Sequence, residues 1–93
     1  MQFVVISRDK PGMAERRAKT RPAHLAYMKN TSTPGRHIIG MPLATDDGKS
    51  MTGGLFIVEA PDRASAESFA RYDPDAEAGI FETTEVIAIH VPQ

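Results

Sequence analysis

Thr45-Asp46-Asp47-Gly48-Lys49-Ser50 is the stretch that decides the fold of this chain. Asp-Gly is a strong short hairpin signal, because glycine accepts the positive φ that a tight strand reversal requires. Two apolar, β-rich runs flank the stretch: Ile38–Ile39 with its neighbours on one side and Leu55–Val58 on the other. A third run, Phe3–Ile6, opens the chain, and a fourth, Val86–Ile89, lies near its end. Each is bounded by turn residues, as strands are. The hairpin therefore joins the second and third of four strands.

Two helical stretches fill the remaining spans. The first lies within Met13–Asn30, which is rich in Ala, Arg, Lys, Glu and Leu and has no glycine. Pro22 interrupts it, since proline removes a helix hydrogen bond and crowds the preceding turn. Thr20 suits an N-cap, so the expectation is a helix from about Thr20 to Asn30 after a short lead-in turn, or one helix kinked near Pro22. The second helix runs from a cap at Asp62 through Ala64–Tyr72 and stops at Asp73-Pro74, because a residue before proline avoids helical backbone. The order β-α-β-β-α-β is the ferredoxin-like α+β arrangement: an antiparallel sheet with both helices on one face.

The strands carry a second inference. A sheet covered on one face alternates apolar and polar residues. Phe3-Val4-Val5-Ile6, Leu55-Phe56-Ile57-Val58 and Val86-Ile87-Ala88-Ile89 are apolar on both faces. The helices cover one face, so a second copy of the sheet is expected on the other, giving a two-fold homodimer.

Composition bounds the rest. Ninety-three residues make one domain, 1–93. A chain of this size buries roughly two-thirds of its unfolded surface. Eleven basic and twelve acidic residues alternate along it, for a net charge of −1, with no basic stripe for nucleic acid. There is no cysteine, hence no disulfide framework or thiol nucleophile. The apolar opening run is too short for a signal peptide and far below the ~20 residues that span a bilayer. These features point to a soluble cytoplasmic protein with no nucleic-acid or membrane partner.

The chemistry-bearing residues are few. His24 shares a helical stripe with Arg17, Arg21 and Met28 at three- and four-residue spacing. Two arginines beside it favour its neutral form, which suits a general base. Its structural alternative is a half-buried histidine bonded to a carbonyl. Asp73 ends the second helix, where a carboxylate also serves as an ordinary turn opener. Asp75 and Glu77 follow, and a solvated acidic loop explains them as well. Gly40 and Gly53-Gly54 leave room for a ligand or for close backbone approach. His37 and His90 sit at strand ends, and no two histidines have metal-ligand spacing, so no metal is expected. Phosphate-loop motifs are absent from the sequence, and no cofactor is implied. Tyr27 and Tyr72 each lie within three residues of a candidate and could supply a hydroxyl or a pocket wall.

Taken in order, these segments resemble the YCII-related (YciI-like) family of small α/β proteins. The carriers are the opening strand with Asp9 and Pro11-Gly12, Arg21-Pro-Ala-His24-Leu-Ala-Tyr27, Gly40-Met-Pro-Leu43, Gly53-Gly-Leu-Phe-Ile-Val-Glu-Ala60, and Asp73-Pro74 with Ala78-Gly79-Ile80-Phe81. The resemblance implies a ferredoxin-like fold of the dimeric α–β barrel kind and a homodimer. It further implies a pocket where the histidine matching His24 meets the aspartate matching Asp73. Arg21 matches the family's arginine three residues before the histidine, and Arg21, Tyr27 and Asp9 become substrate-binding candidates. One branch of the family is a dehydrochlorinase of a chlorinated hydroxyhydroquinone. This chain departs at Asp75, where the family usually has an aromatic residue. A carboxylate at the pocket mouth is expected to disfavour an anionic aromatic substrate.

Two readings follow. The first is a cofactor-independent acid–base enzyme of isomerase, lyase or dehydrochlorinase type, acting on a small cyclic or hydroxylated compound through His24 and Asp73. The second is a non-catalytic dimeric module that binds a small ligand or docks on another protein. A shared cavity for the two side chains separates them.

Overall fold

The structure, a computed structural model, describes residues 1–30 and 32–92. The order is β1 (Gln2–Asp9), α1 (Ala14–Lys29), β2 (Arg36–Ala44), β3 (Met51–Glu59), α2 (Arg63–Arg71), α3 (Pro74–Glu77) and β4 (Phe81–Ile89). The strands form one sheet in the order β2-β3-β1-β4, with each neighbouring pair antiparallel. This is the expected ferredoxin-like α+β fold. The hairpin closes where the Asp-Gly signal stands: Thr45 N–H donates to Ser50 O at 2.9 Å, and Gly48 takes a φ of 73°.

α1 departs from the expected start. It begins at Ala14 and continues through Pro22, so Thr20 is an interior residue and not a cap. Two forces outweigh the proline. Ala14-Glu-Arg-Arg-Ala-Lys19 is a run of strong helix formers. Arg17, buried to 7% exposure, is tied to Asp9 at the end of β1, which anchors the early turns. α2 starts as expected, with the Asp62 carboxylate accepting from Ser65 N–H at 2.8 Å. It ends before Asp73, but the chain then forms a further short helix, α3, capped by Asp73. Proline fits that first turn because its absent N–H would be unpaired there anyway.

The core lies between the sheet and α2. Ala66, Phe69 and Ala70 recur at helical spacing and pack on Phe3, Val5, Phe56 and Val58. Phe69 meets Phe56 edge-on at 6.1 Å and Tyr27 of α1 at 4.9 Å between ring centroids. The register pairs Val4 with Ile57 and Ile87, and Ile57 with Ile39, in a row that alternates with the buried one. Ile39 and Ile87 of that row are 54% and 44% exposed. Among the described residues, no helix is long and apolar enough to cross a membrane.

Candidate functional site

Along α1, the residues that turn from solvent toward the protein are Arg17, Thr20, His24, Tyr27 and Met28. This stripe is polar over its first half and apolar over its second. Tyr27 and Met28 join the core. Arg17, Thr20 and His24 instead meet the segment that follows α2, and there the site forms.

Asp73 supplies the centre. Its backbone is extended, as a residue before proline prefers, and its side chain turns back over the first turn of α3. Asp73 Oδ1 accepts from Asp75 N–H at 2.9 Å and lies 2.8 Å from His24 Nδ1. Asp73 Oδ2 is buried with no hydrogen-bond partner.

Asp75 stands elsewhere than expected. It is not at an exposed pocket mouth or in a solvated loop, but is 1% exposed. Thr20 Oγ1 donates to its Oδ1 at 2.5 Å, and Arg17 Nη1 donates to its Oδ2 at 3.5 Å. The same Oδ2 lies 3.3 Å from His24 Nδ1. A buried carboxylate persists when it is paired and hydrogen-bonded, and this one has both kinds of partner. Arg17 in turn grips Asp9 with Nε and Nη2, each at 2.8 Å, the bidentate geometry that suits guanidinium and carboxylate. The side chain that clamps the site is thus Arg17. Arg21, the arginine favoured from the sequence, is exposed but lines the pocket.

The charges shift the histidine's pKa in the opposite direction from the sequence expectation. The hydrogen bond to Asp73 raises the His24 pKa above its ordinary value, and the charges of Asp73 and Asp75 add to this. Burial and the Arg17 charge act the other way and are outweighed. The arginines do not hold the ring neutral, because the Asp73 hydrogen bond and the charges of Asp73 and Asp75 outweigh the Arg17 charge. Arg17 itself is held more basic, first by its hydrogen bond to Asp9. His37 behaves oppositely: burial lowers its pKa, and the charge on His24 adds to the effect.

His24 opens onto a pocket of about 180 Å³. Arg17, Arg21, His24 and Asp75 line it from the helices, with His37 and Gly40 from β2 and Gly53 and Phe56 from β3. The glycines let strand and ligand space coexist. A Cβ on Gly53 would lie 2.1 Å from Ser7 O, so only glycine fits there, whereas nothing lies within 4 Å of one built on Gly54. An engineered cavity of about 150 Å³ holds benzene; this pocket has room for one six-membered ring.

Three candidates do not line it: Asp73, wholly buried, reaches it only through its contact with His24, and Tyr27 and Asp9 lie apart. Tyr27 does not line the pocket: its hydroxyl donates to Phe69 O at 2.8 Å, and burial pushes its pKa up to about 12. Asp9 is held by Arg17 and faces a separate depression beside Lys10 and Lys49. Tyr72 is 55% exposed, and His90 is exposed as well. Sequence reasoning missed Thr20 and His37 as site residues, and placed Asp75 at the pocket mouth where the structure buries it. Thr20 had a signal, since it lies three residues after Arg17 and four before His24 on one helical stripe. For His37 there was none, because a strand residue's face depends on the register.

His24, Asp73 and Asp75 offer ligand atoms within 4.8 Å of one another, close enough for a cation. Arg17 and the Thr20 hydroxyl already serve both Asp75 oxygens, and His24 Nδ1 faces Asp73 as a hydrogen-bond partner. The donor set suits a shared proton better than a metal.

Residues 1–90 match the YCII-related domain. The chain belongs to the YCII-related family. A YCII-related relative, Protein YciI of Escherichia coli O6:H1, is 31% identical over 91 residues, covering 92% of this chain and 93% of that one. An uncharacterized protein of Haemophilus influenzae is 28% identical over 86 residues, covering 87% and 88%. Among solved structures, this YCII-related chain is similar to the 5-chloro-2-hydroxyhydroquinone dehydrochlorinase of Burkholderia phenoliruptrix AC1100 in complex with 2,5-dihydroxybenzoquinone. The TM-score is 0.81 at 32% identity, over 97% of this chain and 94% of that one.

Proposed function

We propose that this protein is a cofactor-independent acid–base enzyme for a small hydroxylated six-membered ring, with His24 as proton donor and Asp73 as the group that keeps it charged. The observation that carries the reading is the 2.8 Å contact between buried Asp73 and Nδ1 of His24, which itself lines a ring-sized pocket. With Nδ1 engaged by the carboxylate, Nε2 is the nitrogen left to meet a substrate. An imidazolium there delivers a proton to a ring carbon or a leaving group, and Arg21 meets a developing oxyanion. Positioned acid–base groups contribute roughly 10²–10⁴-fold. The similarity to a dehydrochlorinase bound to a dihydroxyquinone supports this substrate class. Asp75 does not oppose an anionic ring, since Arg17 pairs with it.

The working unit in this reading is a homodimer. The sheet face opposite the helices carries Val4, Ile6, Ile39, Met41, Ile57 and Ile87, and Met41 is 59% exposed. An exposed apolar face of this kind is buried most economically by its own copy.

The test is chloride release from 5-chloro-2-hydroxyhydroquinone by wild type and His24→Ala, with thermal shift by 2,5-dihydroxybenzoquinone alongside. Turnover lost in the variant, which still folds, supports the reading. Thermal stabilisation without turnover in either protein would make it a binding module instead.

A further inference from the structure

His37 is a second imidazole in the same pocket. Its ring lies over Phe56, with centroids 6.0 Å apart. Its Nε2 and the Phe56 Cβ together fill the space that a side chain at position 40 would need, since a Cβ on Gly40 would come within 2.8 Å of that nitrogen and 2.7 Å of that carbon. Gly40 thus allows His37 its place at the pocket wall.

The charged groups around the pocket are distributed unevenly. α1 contributes Arg17, Arg21 and His24, and the α3 segment contributes Asp75. Gly53, Gly54, Leu55 and Phe56 from β3 and Phe81 from β4 carry no charge. Both nearby carboxylates, Asp73 and Asp75, stand against His24. Among the described residues, no carboxylate forms an ion pair with His37. One imidazole therefore stands against two carboxylates, and the other is partly buried with the first imidazole's charge acting on it. Environments that drive two titratable groups apart define an acid and a base.

We propose that His37 is the proton acceptor of a two-imidazole pair in which His24 is the donor, working together on a hydroxylated ring held in this pocket. The inference rests on the acid–base reading above and adds to it the missing base. In the step, His37 Nε2 takes the proton of a ring hydroxyl, and the O–H electron pair becomes the C=O bond. The ring C=C pair takes the proton of His24 onto carbon, forming a C–H bond. The ring is then the keto tautomer, His37 is cationic and His24 neutral. The reverse step restores all three.

Reversal on the enzyme takes back the same hydron from the same face, but the released keto tautomer, with one H and one D on that carbon, rearomatises in solution with loss of either. Hydroxyhydroquinone incubated anaerobically with the enzyme in D₂O should exchange ring hydrogen for deuterium, followed by proton NMR. His24 exchanges its N–H with solvent between turnovers. Wild type should show a bell-shaped pH profile, rising as His37 loses its proton and falling as His24 loses its own. His24→Gln and His37→Gln should each slow exchange by roughly 10²-fold, and His37→Gln should also lose the rising limb. Circular dichroism confirms that each variant is folded. Exchange lost in His24→Gln but unchanged, with its rising limb intact, in His37→Gln would overturn the role of His37 and leave the acid–base reading standing. No exchange above background in wild type would overturn both.

Discussion

His24 Nδ1 lies 2.8 Å from Asp73 Oδ1, and the other oxygen of that carboxylate is buried without a partner. The relationship makes the histidine a better base in the folded protein than in the unfolded chain. The raised folded-state pKa means that the contact stabilises the fold most fully below the unfolded value near 6.5. The contribution disappears as pH rises through the folded value.

Histidine NMR should therefore place the His24 midpoint above 6.5 and the His37 midpoint below it. Urea melts should show wild type more stable than His24→Gln near pH 6, with the gap closing toward alkaline pH. Asp73→Asn should return the His24 midpoint toward or below its ordinary value. A His24 midpoint at or below 6.5 in wild type would remove the basis for assigning it as the donor.

Arg17 and Arg21 should separate cleanly. Arg17→Ala leaves the Asp75 carboxylate buried without its guanidinium and releases Asp9, a loss of about 3–5 kcal/mol in urea unfolding. Arg21→Ala removes an exposed side chain and should stay within about 0.5 kcal/mol of wild type. It should nevertheless weaken the thermal shift given by 2,5-dihydroxybenzoquinone.

Adjacent glycines should also differ. Gly53→Ala drives a methyl against the Ser7 carbonyl in the neighbouring strand and should lose about 1–3 kcal/mol or fail to fold. Gly54→Ala meets open space, so its stability should equal or exceed that of wild type. Because Gly54 lines the pocket, that variant should bind the quinone more weakly.

The apolar sheet face should be an interface between copies. Sedimentation of wild type should give twice the chain mass of 10.1 kDa. Ile39→Glu and Ile87→Glu should each shift it toward monomer. Wild type that sediments as a monomer at high concentration would mean that the face has another use.

The sequence by itself determined the order of the four strands and two main helices, the hairpin at Asp47-Gly48, the Asp62 cap and the stop before Pro74, but not the short helix α3. Each rests on local backbone preferences, and these act within a few residues. It also supplied His24 and Asp73 as the chemically apt pair, 49 residues apart. Tertiary structure decided what those local rules cannot reach. Thr20 reads locally as a cap, but packing of α1 on the Asp73–Asp75 segment turned it into a donor to Asp75. Asp75 reads as solvated, but Arg17 and Thr20 made its burial tolerable. Arg17 prevailed over Arg21 because only one of them, four residues apart on the helix, faces Asp9 and Asp75. His37 reached the pocket through strand register and the space left by Gly40. In each case the deciding quantity is the direction of a side chain from one element toward another, which residue spacing within a single element does not contain.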